Sequence, residues 1–320
     1  MKFSAGRGII FLLAGFLCLS CSTIFEDQSE CPRGIRLDFV YELNMEHSNS
    51  FPHYAHCLDV FLFDAEDRLV DVWEEDLSSS EQCSITKPLA PGEYSVIVWA
   101  GAGCGDASFR LEGLPLRSGD AGKLKAELLT EGGLCSESLH PLFHGQCSFS
   151  IGVDDYVRKT VYLTKDTNNF KIILQQSSSS DIKASDFEVS ITDSNNAVLG
   201  WDNSILGGDV TYLPWTSGEQ SLGDSLGAAW FEFSTSRLQS GSRSRLVIKR
   251  RADGGTVLDI PLCSYLLLLK SELYSQMGAD EYLDRESDWS LVFFLDGGLN
   301  WIDAYIIVND WRIVLNDVGF

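Results

Sequence analysis

Positive charge is scarce in this chain: 24 Lys and Arg stand against 46 Asp and Glu in 320 residues, a formal net charge of −22. The first 20 residues hold Lys2 and Arg7 and no acid, so their removal leaves 22 basic against 46 acidic residues, a net of −24. Such a surface repels phosphate backbones and anionic headgroups, which argues against nucleic acid as a partner and against a polybasic membrane dock. Zinc-protease and nucleotide-binding signatures are also missing. No H-E-x-x-H or P-loop pattern occurs, and the Gly101 to Gly105 cluster is followed by no helical period, so it reads as a tight β turn. Carboxylates are plentiful, yet nothing in their order singles out a pair, so no catalytic residue, metal site or cofactor is assigned.

Apolar runs long enough to span a bilayer stably are absent too. Ile9 to Leu19 is apolar but short, and it follows the cationic start Met1, Lys2 and Arg7, which makes residues 1–20 a signal peptide. That segment ends in Leu17-Cys18-Leu19-Ser20-Cys21, with a small residue directly before Cys21. Lipoprotein signal peptidases act at such a thiol once it carries a diacylglyceryl group, so Cys21 is the expected lipidation site and membrane attachment. Several acyl chains bury far more CH₂ groups than marginal single-chain anchoring provides. Cys18 and Cys21 also form a C-x-x-C, but cleavage would separate them. Residues 21–30 are short, polar and acidic, as suits a lipid-attached tether.

Cys31, Cys57, Cys83, Cys104, Cys135, Cys147 and Cys263 remain in the mature chain. Export to an oxidising compartment makes disulfides reasonable, and the odd count leaves at least one thiol free or paired outside the chain.

What is present in abundance is strand-forming sequence. Ile35, Leu37, Phe39, Tyr41 and Leu43 alternate with Arg36, Asp38, Val40, Glu42 and Asn44, the signature of a half-buried strand. Similar runs follow at 58–63, 68–73, 94–99, 148–153 and 158–163, then at 170–174, 187–191, 228–233, 245–250, 256–262, 291–295, 301–308 and 311–315. Turn residues punctuate them, as in Asp64-Ala65-Glu66-Asp67 and Ala90-Pro91-Gly92-Glu93. Leu262 to Leu269 fits a strand or a short helix; we read it as a strand leading into a helical turn near 271–277. More than a dozen strands exceed one sandwich of seven to nine, so the fold class is all-β with two β-sandwich domains in series. The polar stretch Thr164-Lys165-Asp166-Thr167-Asn168-Asn169 sets the expected boundary, giving domains 31–165 and 166–320. The Ser177 to Ser180 run reads as a hairpin loop.

His47, His53, His56 and Cys57 are a compact set of zinc-type residues, but their spacing fits no standard site and a loop role is assigned. His140 and His144 stand four apart, on one face of any strand that holds both, and packing accounts for His144. Of the eight tryptophans most fall in alternating strands, where core packing is their usual fate. Trp201 and Trp215, in the glycine-rich stretch Gly200 to Gly218, are the candidates for contact with a ligand such as a glycan.

In order along the chain come Cys31-Pro32-Arg33-Gly34-Ile35-Arg36-Leu37, then Val60-Phe61-Leu62-Phe63-Asp64, then Pro91-Gly92-Glu93-Tyr94 running into Val98-Trp99-Ala100-Gly101. Leu142-Phe143-His144-Gly145, Val161-Tyr162-Leu163, Phe170-Lys171-Ile172, Tyr282-Leu283-Asp284-Arg285-Glu286 and Ile306-Ile307-Val308-Asn309-Asp310-Trp311 follow. In this order and spacing the chain resembles the FimB-type fimbrillin-associated anchor proteins of Bacteroidetes type V pili, across nearly the whole mature sequence. The resemblance implies transthyretin-like sandwiches, lipidation at the outer membrane and a place at the base of a fimbrium. It also implies fimbrial subunits as partners, joined by β-strand complementation, in which backbone hydrogen bonds give affinity and side-chain pockets give register. Stalk subunits of this type expose a groove once an Arg-directed protease removes an amino-terminal strand. Arg33 and Arg36 are the positions for such a cut here, and a chain that keeps its first strand would end the polymer. The few residues after the strand at 311–315 leave little for a long donor extension, which suits an anchor. The expected function is therefore a structural, non-enzymatic lipoprotein that anchors a fimbrium and terminates its assembly; the alternative is a glycan- or protein-binding surface lipoprotein, such as a pilus tip adhesin.

Overall fold

The computed structural model describes residues 33–54, 57–77, 83–103, 105, 107–113, 121–153, 155–176, 182–194, 196–221, 227–308 and 311–315, with side chains through residue 302. The signal peptide, Cys21, the tether, Cys31, His56, Cys104 and the Ser177 to Ser180 run lie outside them.

In chain order the first half contributes β1 (Gly34–Val40), β2 (Cys57–Asp64), β3 (Leu69–Asp76), β4 (Ser84–Lys87), β5 (Gly92–Ala100), β6 (Phe109–Glu112), β7 (Lys125–Leu128), β8 (Leu134–Cys135), β9 (Phe143–Ile151) and β10 (Tyr156–Lys165). The second half follows with β11 (Thr167–Gln176), β12 (Phe187–Asp193), β13 (Val198–Gly200), β14 (Ile205–Gly207), β15 (Val210–Tyr212), β16 (Thr216–Ser221), β17 (Gly227–Ser236), β18 (Arg245–Arg250) and β19 (Thr256–Pro261). It closes with α1 (Leu262–Leu268), α2 (Ala279–Arg285), β20 (Asp288–Leu295), β21 (Trp301–Val308) and β22 (Trp311–Leu315).

Period-two alternation explains how the first sandwich closes. One sheet runs in the order β3-β2-β5-β9-β10-β1-β4. β10 belongs to both of its wings: residues 156–162 pair in parallel with β1, and residues 163–165 pair antiparallel with β9. The two wings share one apolar cluster, with Ile35, Leu37 and Phe39 of β1 meeting Val60 and Leu62 of β2 and Val96 and Val98 of β5. Gly145 sits where β10 crosses onto β9; a Cβ there would stand 2.7 Å from Leu163 and 2.8 Å from Val161, so only glycine allows the approach. Gly101 ends β5 at φ +92°, with Pro141 O 2.2 Å from where its Cβ would be.

The alternate residues of the same central strands face the other way. Phe61, Phe63, Ile97 and Trp99 join a second cluster with Phe109 of β6, Ala126 and Leu128 of β7 and Leu199 of β13. Both faces of β2 are therefore covered, which is why Val60 to Phe63 is apolar throughout and why residues 58–63, Asp59 included, are all buried. Each buried Val, Leu, Ile or Phe side chain among them contributes roughly 1.5–3 kcal/mol by burial.

The strands of that covering layer come from both halves. Its order is β14-β13-β7-β6, with Val198 to Gly200 pairing with Glu127 to Lys125. In return β8 of the first half adds to the second sandwich, whose sheets run β16-β17-β11-β20-β21-β22 and β19-β18-β12-β15-β8. A division of the chain at 165/166 thus leaves strands of each half hydrogen-bonded to the other.

Several local expectations change. Leu262 to Leu268 is helical: Pro261, which has no N–H to give, closes β19, and Leu262, Cys263, Tyr265, Leu266 and Leu269 are buried at helical spacing while Ser264 and Leu268 face outward. β11 and β12, which flank the Ser177 to Ser180 run, lie in different sheets and do not pair, so the run does not join a hairpin. β1 stops at Val40, and Tyr41 leaves the ladder. The glycine-rich stretch between Trp201 and Trp215 contains the short strands β14 and β15.

Candidate functional site

β1 is held on both edges. Gly34 to Val40 pairs residue by residue with Tyr156 to Tyr162, and Ile35 to Asp38 pairs with Lys87 to Ser84 of β4. Ile35, Leu37 and Phe39 are at most 1% exposed. On the opposite face Asp38 accepts from Arg36 Nε at 3.0 Å and Arg158 Nε at 2.5 Å. Burial pushes the Asp38 carboxyl up, but the two guanidiniums outweigh it and hold the group below the usual carboxylate range. Arg33 is the residue before the strand and Arg36 is inside it, so a cut after Arg33 leaves β1 attached to the body, and a cut after Arg36 first requires two ladders to open.

The polar stretch at 164–169 is the least linker-like part of the molecule. Lys165, Asp166, Thr167 and Asn168 are between 0% and 5% exposed. Asp166 donates its backbone N–H to Leu142 O at 2.7 Å and accepts from Asn203 Nδ2 at 2.9 Å. Arg237 closes the cluster: its Nε lies 3.7 Å from Asp166 and it makes a bidentate pair with Asp284, both bonds 2.8 Å. Another guanidinium N–H donates to Asn203 O. Asn203 sits at φ +63°, a conformation asparagine tolerates better than most residues. Burial pushes the Asp166 carboxyl up to about 7, against the pull of Arg237 and Asn203. Lys165 donates to Ser287 Oγ at 2.9 Å and lies 5.3 Å from the Tyr54 ring centroid, and burial lowers its pKa. Trp289 Nε1 donates to Asn168 Oδ1 at 3.3 Å.

The motifs quoted for the family resemblance meet at this seam. Leu142 supplies the carbonyl for Asp166. His144, 4% exposed, packs 4.6 Å from the Trp99 ring and its Nε2 bonds Trp201 O at 2.9 Å. Because a carbonyl only accepts, His144 carries its proton on Nε2, and burial drives its pKa down to about 4. From the other half, Tyr282 packs edge-on to Trp289 at 5.8 Å, Asp284 holds Arg237, and Arg285 donates to Glu42 O and Asn44 O at 3.2 Å each. Sequence reasoning missed Asp166, Asn203 and Arg237, whose polar character reads as exposure. Their signal was the family-like Asp284-Arg285 pair, which needed partners.

The remaining candidates separate. His140 precedes β9 and is exposed, so it shares no strand face with His144. Cys57 is disulfide-bonded and so is no thiolate ligand, whereas Cys83, Cys135, Cys147 and Cys263 are free. Trp73, Trp99 and Trp289 are buried, while Trp201 and Trp215 are 39% and 42% exposed. They border different cavities: Trp201 one of about 470 Å³ with Phe63, Ile97 and Gln146, and Trp215 one of about 440 Å³ with Asn169, Lys171, Glu232 and Asp288.

Comparison with known proteins agrees with this architecture. The minor fimbrium anchoring subunit Mfa2 of Porphyromonas gingivalis is 23% identical over 279 residues, covering 83% of this chain and 81% of that protein. Among solved structures, a candidate adhesin from Bacteroides thetaiotaomicron superposes with a TM-score of 0.83 at 35% identity, over 91% of this chain and 100% of the other. A candidate polysaccharide-binding protein of the same species gives 0.76 at 25% identity, over 89% and 99% of the two chains. The fimbrial anchor protein Mfa2 of P. gingivalis gives 0.65 at 18% identity, again over 89% and 99%, a likeness of fold. The sequence profile of the fimbrillin-A associated anchor proteins Mfa1 and Mfa2 matches residues 28–317, and the chain belongs to that family.

Proposed function

We propose that this chain anchors a fimbrium to the outer membrane through a lipid on Cys21 and ends its assembly by keeping β1 in place. The observation that carries this reading is the double pairing of β1, with Ile35, Leu37 and Phe39 filling the core of the first sandwich. In a fibre built by strand complementation, a subunit whose own strand fills that position offers no groove to the next subunit. Fimbrial subunits are the partners, adding strands at sheet edges such as β4 and β22. The seam fits a tether under tension. Residues 31–165 follow the lipid, and the strands exchanged between the halves, with the Arg237 cluster, pass force to residues 166–320 without a slack linker.

The test is mass spectrometry of the protein taken from native membranes. Acylated Cys21 on a chain uncut at Arg33 and Arg36 is the expected result. A delipidated chain beginning at Gly34 would overturn the lipid anchor while keeping β1, and one beginning at Leu37, inside β1, would instead make it a processed, polymerising subunit.

A second reading has its own support. A relative at 25% identity is a candidate polysaccharide-binding protein, and Trp215 stands exposed beside a polar cleft. Carbohydrate recognition at the base or along the fibre is compatible with anchoring, because the cleft is far in sequence from β1 and uses none of its residues. A glycan array read with the folded protein checks it.

A further inference from the structure

The cleft beside Trp215 is formed where the outer face of β11, β17 and β20 reaches the seam. Its volume of about 440 Å³ falls within the range of small-molecule sites. Trp215 forms one wall; its backbone N–H donates to Glu232 O at 3.0 Å, which fixes the indole's point of departure. Strand register sets the floor, bringing Asn169 opposite Asp288 and Ser234, and Lys171 opposite Glu232 and Ser290.

These polar groups are oriented before any ligand arrives. Asn169 Nδ2 donates to Asp288 Oδ1 at 2.9 Å, and Ser234 Oγ donates to Asn169 Oδ1 at 3.1 Å. Lys171 Nζ donates to Glu232 at 3.2 Å and lies 5.1 Å from the Trp230 ring centroid. They also keep capacity for a ligand, since the Lys171 and Asp288 side chains are 47% and 63% exposed.

An indole face next to fixed carboxylate, amide and ammonium groups matches the two-sided chemistry of a sugar ring. Its C–H face stacks on an aromatic ring, while its vicinal hydroxyls donate to carboxylates and accept from an ammonium or amide. Two other ligand classes fit less well. An extended peptide needs a free sheet edge, but β17, β11 and β20 are each paired on both sides. An anionic ligand would meet Asp288 and Glu232, and the lysines beside them are already paired with these carboxylates, Lys165 with Asp288 at 3.9 Å and Lys171 with Glu232 at 3.2 Å.

We propose that this cleft binds a neutral oligosaccharide, with Trp215 as the stacking platform and Asn169, Lys171, Glu232 and Asp288 as the hydroxyl partners. The proposal rests on the carbohydrate reading above and names its site.

The experiment is a binding titration of the full mature chain against neutral glucan, mannan and galactan oligosaccharides, with uronate-containing oligosaccharides as the charged comparison. Trp215→Ala, Asp288→Asn and Trp201→Ala are measured alongside, with thermal unfolding to confirm that each is folded. A neutral oligosaccharide should bind, with Trp215→Ala and Asp288→Asn each weakening it about tenfold or more and Trp201→Ala leaving it unchanged. If folded Trp215→Ala and Asp288→Asn bind as tightly as the parent, or only Trp201→Ala loses binding, this site is wrong while the carbohydrate reading stands. If the unmodified protein binds neither the neutral nor the uronate-containing oligosaccharides, both are overturned. Preference for uronate oligosaccharides overturns the neutral assignment.

Discussion

In the first sandwich, β1, β2 and β5 bury Ile35, Leu37, Phe39, Val60, Leu62, Val96 and Val98 against one another, all from the first half of the chain. A few residues further on, at the seam, the buried groups are Lys165, Asp166, Asn168 and Asn203, drawn from both halves and joined by the half-buried Arg237. Apolar packing is non-directional and tolerates small shifts. A buried ionic cluster stabilises only when every partner is in place, and its loss leaves charges unpaired in a low-dielectric site. The first sandwich can therefore be read as a core that makes β1 hard to remove, and the seam as a junction that fixes one arrangement of the halves.

The sharpest way to break that contrast is Arg237→Ala. Removing the guanidinium leaves the buried Asp166 and the half-buried Asp284 without their cation, and a loss of roughly 3–5 kcal/mol is expected in denaturant unfolding. Hydrogen exchange should rise first at residues 164–169 and 201–204. If exchange rises uniformly instead, the seam is no separate unit.

Leu37→Ala probes the apolar side. Its side chain is 0% exposed, so truncation should cost roughly 2–5 kcal/mol. Faster exchange should be confined to β1, β4 and β10, and trypsin should then reach Arg36. Unchanged resistance at Arg36 would show that β1 is held by its ladders alone.

The third test is pH. Folded His144 titrates at about 4 against an ordinary 6.5, so below pH 6.5 the unfolded chain takes up a proton that the folded chain refuses. Stability is thus lost as pH falls from 6.5 to 4, by roughly 3 kcal/mol in full. Asp166 has the opposite slope: its folded pKa of about 7 lies above 3.8, so stability is lost as pH rises from 3.8 through 7. His144→Gln keeps a donor for Trp201 O and should remove the first slope, while Asp166→Asn should remove the second. Unfolding free energies across pH 4–8 that are parallel in all three proteins would contradict both assignments.

The smallest effect belongs to the surface. Arg245 and Asp259 pair at 2.7 Å with both side chains 45% exposed, so Arg245→Ala should change stability by less than about 0.5 kcal/mol. A larger loss would mean that surface pairs matter here as much as the seam.

The strands could be read because alternation in sequence is alternation in space. Ile35, Leu37 and Phe39 point inward for the reason they alternate, and Val60-Phe61-Leu62-Phe63 is apolar throughout because both its faces are covered. Short strands such as β6, β8, β13 and β14 escaped notice, since two to four residues hold too little pattern. Trp201 and Trp215 were separable from the core tryptophans by their glycine-rich context, although not as members of two different cavities.

By itself the sequence determined the all-β class, most long strands, the family motifs and the acidic character, because these depend on residue type and local period. Only the tertiary structure decided that Lys165 to Asn168 is a buried seam, since a polar residue is stable inside when its partners, here Asn203, Arg237, Ser287 and Trp289, arrive from distant segments. The same holds for the strands exchanged between the halves. Hydrogen-bond pairing across more than 70 residues leaves no local trace, and backbone donors accept whichever edge the packed core brings to them.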